Sequence, residues 1–252
     1  MTAAYASAKT CGFGVNSDHY AYAAQYTSVS PGSGTCFDAP GYFGWAGVDG
    51  QITTPSTFPT RVNNADHNLG FLEAKFTSYG TTESWIQIGW LFGVVGANCQ
   101  VGSPACVSST NQYSLYVESL DPFGYYTINK LSPLSLGTSI TYRVQYSSDG
   151  CWHAYYNYNT PVSGSWCNYP TSAAVDATNE VYSSTNYVAM PLSDFGSSAP
   201  NTNQTLRLLG SGGWRDWTSS VVTTVVQNRP YFYWSPFVSG QYHHFLTYGS
   251  VT

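Results

Sequence analysis

Charged residues are scarce in this sequence. Asp, Glu, Lys and Arg make up 8% of its 252 residues, against about 25% in ordinary soluble domains. The 8 Lys and Arg form no basic run, and the formal net charge is −5. Because nucleic acids and anionic membranes are recognised by clustered positive charge, we expect neither as a partner. A surface with so few ionisable groups changes its charge little as the pH falls, so we expect tolerance of acid.

Helix signals and long apolar runs are missing as well. No stretch shows sustained helical periodicity with caps, and no apolar run approaches the roughly 18 residues of a membrane helix. Residues 1–10 lack the apolar centre of a signal peptide. We therefore expect a mature, secreted, extracellular chain from which the signal has been removed.

The six cysteines include no Cys-x-x-Cys arrangement, and no histidine lies at zinc-site spacing from any of them. This pattern favours disulfides and an oxidising compartment over a metal site. Six cysteines allow many pairings, and the simplest joins sequence neighbours. The expected couples are Cys11 with Cys36, Cys99 with Cys106, and Cys151 with Cys167.

Short segments rich in aromatic and β-branched residues alternate with Gly, Pro, Asn and Asp turn signals, which predicts strands. These segments are 42–48, 70–76, 85–92, 113–119, 139–146, 152–158, 175–183, 205–209, 220–227, 231–234 and 243–248. They predict an all-β fold, an antiparallel, jelly-roll-like β-sandwich that contains disulfides. Residues 1–40 are expected to form an N-terminal arm or loop region, and residues 41–252 a single β-sandwich domain.

The segment Trp85–Trp90 carries one amide side chain between apolar neighbours. Successive side chains of a strand point to opposite faces. Ile86 and Ile88 therefore indicate a buried face, while Trp85 and Gln87 lie on the opposite face. We interpret that opposite face as the floor of a groove.

The segment 113–119 follows after one connection and is expected to pair with the strand of Gln87. If Leu115 and Val117 face the core, Tyr116 and Glu118 share the groove face with Gln87.

The chain has only four glutamates. Glu73 and Glu83 are interpreted as surface residues. Glu118 and Glu180 lie in segments whose other face is apolar, and Glu180 should face the groove because Val181 faces the core. Burial among aromatic side chains raises the pKa of a carboxyl group, as acid–base catalysis requires.

Several short segments occur here in an order that is found in a known family: Trp85–Trp90, 113–119, Asp149-Gly150, Asn179–Tyr182 and Met190–Gly196. In this order they resemble the glutamic peptidases, both the fungal eqolisins and the neprosin-like proteins, over roughly residues 70–200. Gln87-Ile88-Gly89 resembles the Gln-x-Gly strand of eqolisins. Glu180-Val181-Tyr182 resembles the second neprosin motif, with Asn179 where that pattern has Gly.

The resemblance implies an endopeptidase that acts on polypeptides at acid pH without a metal or another cofactor. Glu180 would take a proton from a water molecule and return it to the leaving nitrogen. Gln87 would donate an N–H to the oxyanion on the substrate carbonyl. The expected substrate-binding residues are Trp85, Tyr116, Glu118 and Tyr182.

Two alternatives use the same face. Glu118 and Glu180 would supply the carboxyl pair of a glycoside hydrolase if they stood about 5 to 9.5 Å apart. A non-catalytic β-sandwich would bind carbohydrate or protein through Trp85 and Tyr116, so a glycan remains a candidate partner.

Other hydrolase signals are weak. No Gly-x-Ser-x-Gly elbow of a serine hydrolase occurs. His243 and His244 are adjacent on a predicted strand, so their side chains point to opposite faces and do not share one ion. We interpret both histidines as structural.

Overall fold

A computed structural model describes residues 9–10, 20–28, 35–36, 45–59, 67–77, 83–95, 107–120, 126–167, 174–182, 190–199, 202–210, 212–218, 224–227, 232–238 and 241–249. Within this part of the chain the regular structure consists of strands. None of the described residues forms a helix that is long and apolar enough to cross a membrane.

Eighteen strands are described. In chain order they are β1 (Lys9–Thr10), β2 (Tyr20–Ser28), β3 (Thr35–Cys36), β4 (Gly47–Thr53), β5 (His67–Thr77), β6 (Glu83–Val95), β7 (Val107–Leu120), β8 (Tyr126–Leu134), β9 (Ser139–Tyr146), β10 (Cys151–Tyr156), β11 (Thr160–Cys167), β12 (Ala174–Tyr182), β13 (Met190–Gly196), β14 (Arg207–Gly210), β15 (Gly213–Asp216), β16 (Thr224–Gln227), β17 (Phe232–Val238) and β18 (Gln241–Gly249).

The strands form two large antiparallel sheets and one two-stranded ladder, β1-β3. The seven-stranded sheet has the order β16-β2-β12-β5-β6-β7-β8. The nine-stranded sheet has the order β11-β10-β9-β4-β13-β18-β17, with β14 and β15 joined to β4. This arrangement confirms the predicted all-β, antiparallel sandwich.

The main core contains side chains from both large sheets. The seven-stranded sheet contributes Leu72, Ile86, Ile88, Trp90, Leu115 and Val117, among others, and the nine-stranded sheet contributes Val48, Ile52, Tyr142, Val144, Trp152, Phe195 and Phe245. Ile86, Ile88, Leu115 and Val117 therefore face inward as their alternation predicted. The other face of the seven-stranded sheet is left for the polar residues of the same strands.

One of the predicted disulfides is confirmed. Cys151 and Cys167 are directly opposite each other on β10 and β11 and form a disulfide. Cys11, Cys99 and Cys106 lie outside the described residues, and Cys36 ends strand β3. The other two couples therefore stay predictions.

The predicted N-terminal arm supplies a sheet strand. Tyr20–Ser28 pairs with β12 along its full length and with β16 on its other side. Its sequence alternates small and aromatic residues rather than large aliphatic ones, which makes its period of two weak. Within the region predicted as an arm or loop, Tyr20–Ser28 is therefore an ordered strand of the sheet. The proposed domain boundary at residue 40 stays a prediction.

Candidate active site

A row of polar side chains crosses four neighbouring strands of the seven-stranded sheet. Asp176 on β12 is opposite Glu73 on β5, Glu73 is opposite Gln87 on β6, and Gln87 is opposite Glu118 on β7. Directly opposite residues of antiparallel strands point to the same face. Glu180 follows Asp176 by four residues on β12 and shares that face. We name this surface, with Asp176, Glu73, Gln87, Glu118 and Glu180, the carboxylate face.

An apolar cluster lies on the same face, beside the polar row and beside Glu180. Its members are Leu69, Phe71, Leu91 and Tyr116. At Gly89, opposite Tyr116, a Cβ atom would stand 1.9 Å from the carbonyl oxygen of Gly70 on β5. No side chain fits there, so the glycine of the Gln-x-Gly motif is required for the close approach of β5 and β6.

The amide of Gln87 is held by two hydrogen bonds. Its Nε2 donates to the hydroxyl of Tyr116 at 3.0 Å and to Oε2 of Glu118 at 2.7 Å. Both N–H groups of the amide are therefore engaged. Because Tyr116 accepts in this bond, its own hydroxyl proton is not used there. Burial keeps that hydroxyl neutral by raising the pKa of Tyr116 well above its usual value, and the charges of Glu118 and Glu180 add to the rise.

Both oxygens of the Glu118 carboxyl group accept hydrogen bonds. Oε2 accepts from Gln87, and Oε1 accepts from the hydroxyl of Tyr126 at 2.6 Å. Burial raises the pKa of Glu118 to about 7, and the negative charge of Glu180 contributes to the rise, while the bond from Tyr126 opposes it. Glu118 therefore holds a proton in the folded protein at acid pH.

Glu180 is paired with His67 rather than with Gln87. Nε2 of His67 lies 3.2 Å from Oε1 of Glu180, and Nδ1 lies 3.0 Å from the carbonyl oxygen of Val94. A carbonyl only accepts, so Nδ1 carries a hydrogen. The contact with Glu180 then needs one more proton, on Nε2 or on the carboxyl group. With a hydrogen on Nε2, His67 donates to Oε1 of Glu180.

The charges of Glu180 and His67 influence Glu118 across the carboxylate face. Glu180 repels the ionised form of Glu118, while His67 favours it. Gln87 and Glu180 lie on one face as the sequence predicted, with Gln87 bonded to Glu118 and Glu180 bonded to His67. Their joint catalytic role stays a prediction.

The interpretation of Glu73 as a surface residue is wrong. Its side chain is buried, 3.2 Å from the ammonium group of Lys75, and Lys75 also lies 3.8 Å from Asp176. Burial raises the pKa of Glu73 well above its usual value, and the neighbouring charge of Asp176 raises it further. Residues 67–74 are buried whichever face they point to, so the alternation of Glu73 with apolar residues did not indicate an exposed face.

The predicted substrate-binding residues occupy different environments. Trp85 is half-buried, two positions before Gln87 on β6. Tyr116 is fully buried and packs in the apolar cluster, so its ring is part of the floor of the face. Tyr182 ends β12 opposite His67, and its side chain lies outside the described part of the structure.

Sequence reasoning missed His67 and Tyr126. His67 begins β5 and has the same parity as Glu73, but the sequence prediction started that strand at Gly70. Tyr126 begins β8, the edge strand of the sheet, whose largely exposed residues and Pro133 give no apolar alternation. A prediction that started β5 at His67 would have placed His67 on the same face as Glu73. We find no sequence signal for Tyr126.

Searches against protein-family models and against curated proteins find no match to this sequence. Solved structures do match. Two crystal structures of Scytalido-glutamic peptidase, each with a transition-state analogue, share 14% sequence identity with this chain over 92% of its length and 98% of theirs, with TM-scores of 0.50 and 0.53. The eqolisin-family peptidase SCP-B, bound to the tripeptide Ala-Ile-His, matches over the same shares at 14% identity and a TM-score of 0.47.

At this level of identity the likeness shows a common fold. The chain therefore has the two-sheet fold of Scytalido-glutamic peptidase. Its own carboxylate face combines a half-buried carboxyl group beside an imidazole, a second carboxyl group that is protonated up to about neutral pH, and an amide and a phenol with N–H and O–H donors. Such a set can transfer protons and stabilise a developing oxyanion.

Proposed function

We propose that this protein is a secreted peptidase of the glutamic type that hydrolyses polypeptides at acid pH. The observation that carries the proposal is the placement of Glu180 and Gln87 on one face of a fold shared with Scytalido-glutamic peptidase. Accessibility favours Glu180 as the reactive carboxyl group. Its side chain is 16% exposed, against 5% for Glu73 and 1% for Asp176.

Glu180 is the proposed general base. With His67 as the hydrogen-bond donor, Glu180 as a carboxylate accepts a proton from a water molecule, whose oxygen then bonds to the carbonyl carbon of the peptide. The protonated Glu180 returns this proton to the leaving nitrogen as the carbon–nitrogen bond breaks. His67 acts by holding the carboxylate in place and by neutralising part of its charge.

Gln87 and Tyr116 are the proposed oxyanion donors. Both N–H groups of Gln87 are engaged, so a substrate oxygen competes with the hydroxyl of Tyr116 for one of them. The hydroxyl proton of Tyr116 offers a second donor at the same place. Donors fixed by a buried network need little rearrangement as the negative charge develops.

Incubation of the purified protein with denatured casein between about pH 3 and pH 7 tests this proposal. Glu180→Gln keeps the shape of the side chain and removes the base, so we expect cleavage to fall about 100- to 10,000-fold. Gln87→Ala removes one donor, with an expected loss of about 100- to 1000-fold. Peptide products are quantified by mass spectrometry.

Asp149→Asn is the matched control, because Asp149 is an exposed carboxylate in the β9–β10 turn of the other sheet. We expect this variant to cleave casein like the parent protein. Cleavage that persists in both Glu180→Gln and Gln87→Ala would refute the proposed dyad. The loss of cleavage in all three variants would mean that the loss does not depend on where the carboxyl or amide group is replaced, which would also contradict the proposal.

Glycoside hydrolysis is the second candidate, and the protonation of Glu118 favours it. Burial and the charge of Glu180 raise the pKa of Glu118 to about 7, and a glycosidase requires one protonated and one ionised carboxyl group. Reducing-sugar release from plant and fungal polysaccharides separates the candidates. A glycosidase would lose this activity in both Glu118→Gln and Glu180→Gln, whereas binding to a glycan array without hydrolysis would indicate a non-catalytic domain.

A further inference from the structure

A chain of three side chains on the nine-stranded sheet lies outside the carboxylate face. Nε2 of His244 on β18 lies 2.7 Å from Oδ1 of Asp194 on β13. Nδ1 of the same ring lies 3.0 Å from Oγ of Ser198, in the turn that follows β13. Serine, histidine and aspartate are therefore connected in the order that a nucleophilic serine requires.

The backbone of β13 brings these residues together. Gly196 is opposite His244 in the β13–β18 ladder and has a φ of +86°. A Cβ atom at Gly196 would stand 2.0 Å from the carbonyl oxygen of His243. Only glycine allows this left-handed conformation and close approach, and the turn places Ser198 against the ring of His244.

The hydrogen bonds fix the tautomer of His244. A carboxylate only accepts, so Nε2 carries the hydrogen that bonds to Asp194. In the neutral ring Nδ1 then has a free electron pair, and the hydroxyl of Ser198 donates to it. His244 is buried and held in position, whereas Ser198 is exposed to solvent. The base is thus fixed and the nucleophile is accessible.

We propose that Ser198 is a nucleophile with His244 as its base and Asp194 as the residue that orients the base, and that this site accepts acyl groups from small esters. Ser198 Oγ bonds to the acyl carbon while its proton moves to Nδ1 of His244. The carbon–oxygen bond of the ester then breaks, and His244 gives the proton to the leaving alcohol. Water releases the acyl group from Ser198 by the same steps and restores the serine.

Esters with good leaving groups are the expected substrates. The side chain of Asp194 is 39% exposed, so water competes with His244 for its carboxylate. A leaving group that needs little protonation, such as an aryl alcohol, makes the smallest demand on His244 as an acid. Amides, whose nitrogen must be protonated to leave, are expected to react much more slowly.

Two measurements on the full-length protein test this site. A fluorophosphonate probe is added and the modified residue is located by peptide mass spectrometry; p-nitrophenyl acetate hydrolysis is followed at 400 nm, roughly the absorbance maximum of the product. We expect modification at Ser198, and we expect Ser198→Ala to abolish it and to lower hydrolysis about 100-fold. His244→Gln and Asp194→Asn should lower both signals.

Ser148→Ala is the control, because Ser148 is an exposed serine in the turn before β10. It should leave labelling and hydrolysis unchanged. His244 is buried, so its replacement can affect folding; Asp194→Asn changes a half-exposed side chain and provides the same test in a folded protein. Absence of labelling at Ser198, or hydrolysis that is unchanged in Ser198→Ala, would overturn the proposal.

Discussion

The two large sheets each carry a row of charged neighbours, and the two rows differ in how charge is balanced. On the nine-stranded sheet Asp49 lies between Arg143 and Arg207, and its Oδ2 accepts from both guanidinium groups, at 2.9 and 2.7 Å. On the carboxylate face, several carboxyl groups are neighbours across four strands, with Lys75 beside two of them. In the first row two cations surround one carboxylate, whereas in the second row the carboxyl groups outnumber the one ammonium group.

The difference separates a structural role from a functional one. Burial raises the pKa of Asp49, and its two guanidinium partners oppose that rise and tie three strands together. Buried carboxyl groups that face one another hold protons in the folded state and destabilise the fold when they ionise. Groups with such altered protonation cluster at sites of proton transfer. Replacement of a residue in the first row should therefore reduce stability, and replacement in the second should reduce activity.

The largest effect on stability is expected for Asp49→Asn. The change keeps the shape of the side chain but removes the negative charge, which leaves Arg143 and Arg207 side by side. Removal of one partner from a buried ion pair costs about 3–5 kcal/mol. The two arginines are partly exposed, so we expect a loss near the lower end, about 3 kcal/mol. Urea unfolding measures the free energy of unfolding.

Asp149→Asn is the comparison for this variant too, since Asp149 is exposed and bonds His153 within a turn. We expect a change far smaller than that of Asp49→Asn. A loss of the same size in both variants would show that the row of Asp49, Arg143 and Arg207 has no special structural role.

The next largest effect is expected for Glu118→Gln, and it depends on pH. In the unfolded chain a glutamate has a pKa of about 4.3, whereas burial raises the pKa of Glu118 to about 7 in the folded protein. Between these values the folded state binds the proton and the unfolded state does not. The free energy of unfolding therefore falls as the pH rises from about 4 to about 7.

Glutamine cannot ionise, so Glu118→Gln should remove this decrease. At pH 8 the variant should equal or exceed the parent protein in stability, by an amount on the order of 3 kcal/mol or less. Below about pH 4 the difference should be small. Urea unfolding at several pH values measures it. The assignment would be contradicted if the free energy of unfolding of the parent protein rose between about pH 4 and pH 7 and Glu118→Gln removed that rise.

Alternation along single strands made much of the fold predictable. The bounds of β9, Ser139–Tyr146, are those expected from its sequence. The parity of Gln87, Glu118 and Glu180 placed all three on one face, because the period of a strand is independent of its neighbours. The alternation of apolar residues therefore predicted both the side chains that face the core and the polar side chains on the opposite face of the sheet.

The partners of these residues were not predictable in the same way. The order of the sheet places β12 between β2 and β5, and nothing in the local sequence specifies that arrangement. It decides that Glu180 meets His67 and that Glu73 meets Asp176. Strands without apolar alternation, such as the edge strand β8, give no periodic signal. The sequence therefore does not predict that side chains of such strands, for example that of Tyr126, contribute to the site.

The smallest effect is expected for Tyr126→Phe, which removes the hydrogen bond from Tyr126 to Oε1 of Glu118. That bond favours the ionised carboxylate, so its loss should raise the pKa of Glu118 further and extend the fall in stability to higher pH. We expect a loss of about 1–2 kcal/mol at pH 8 and less at pH 4, measured by urea unfolding. Tyr155→Phe removes a hydroxyl that contacts Ser147 on the other sheet, and its effect should not vary with pH. An equal loss at both pH values in Tyr126→Phe would mean that this hydroxyl stabilises the edge strand without affecting the charge of Glu118.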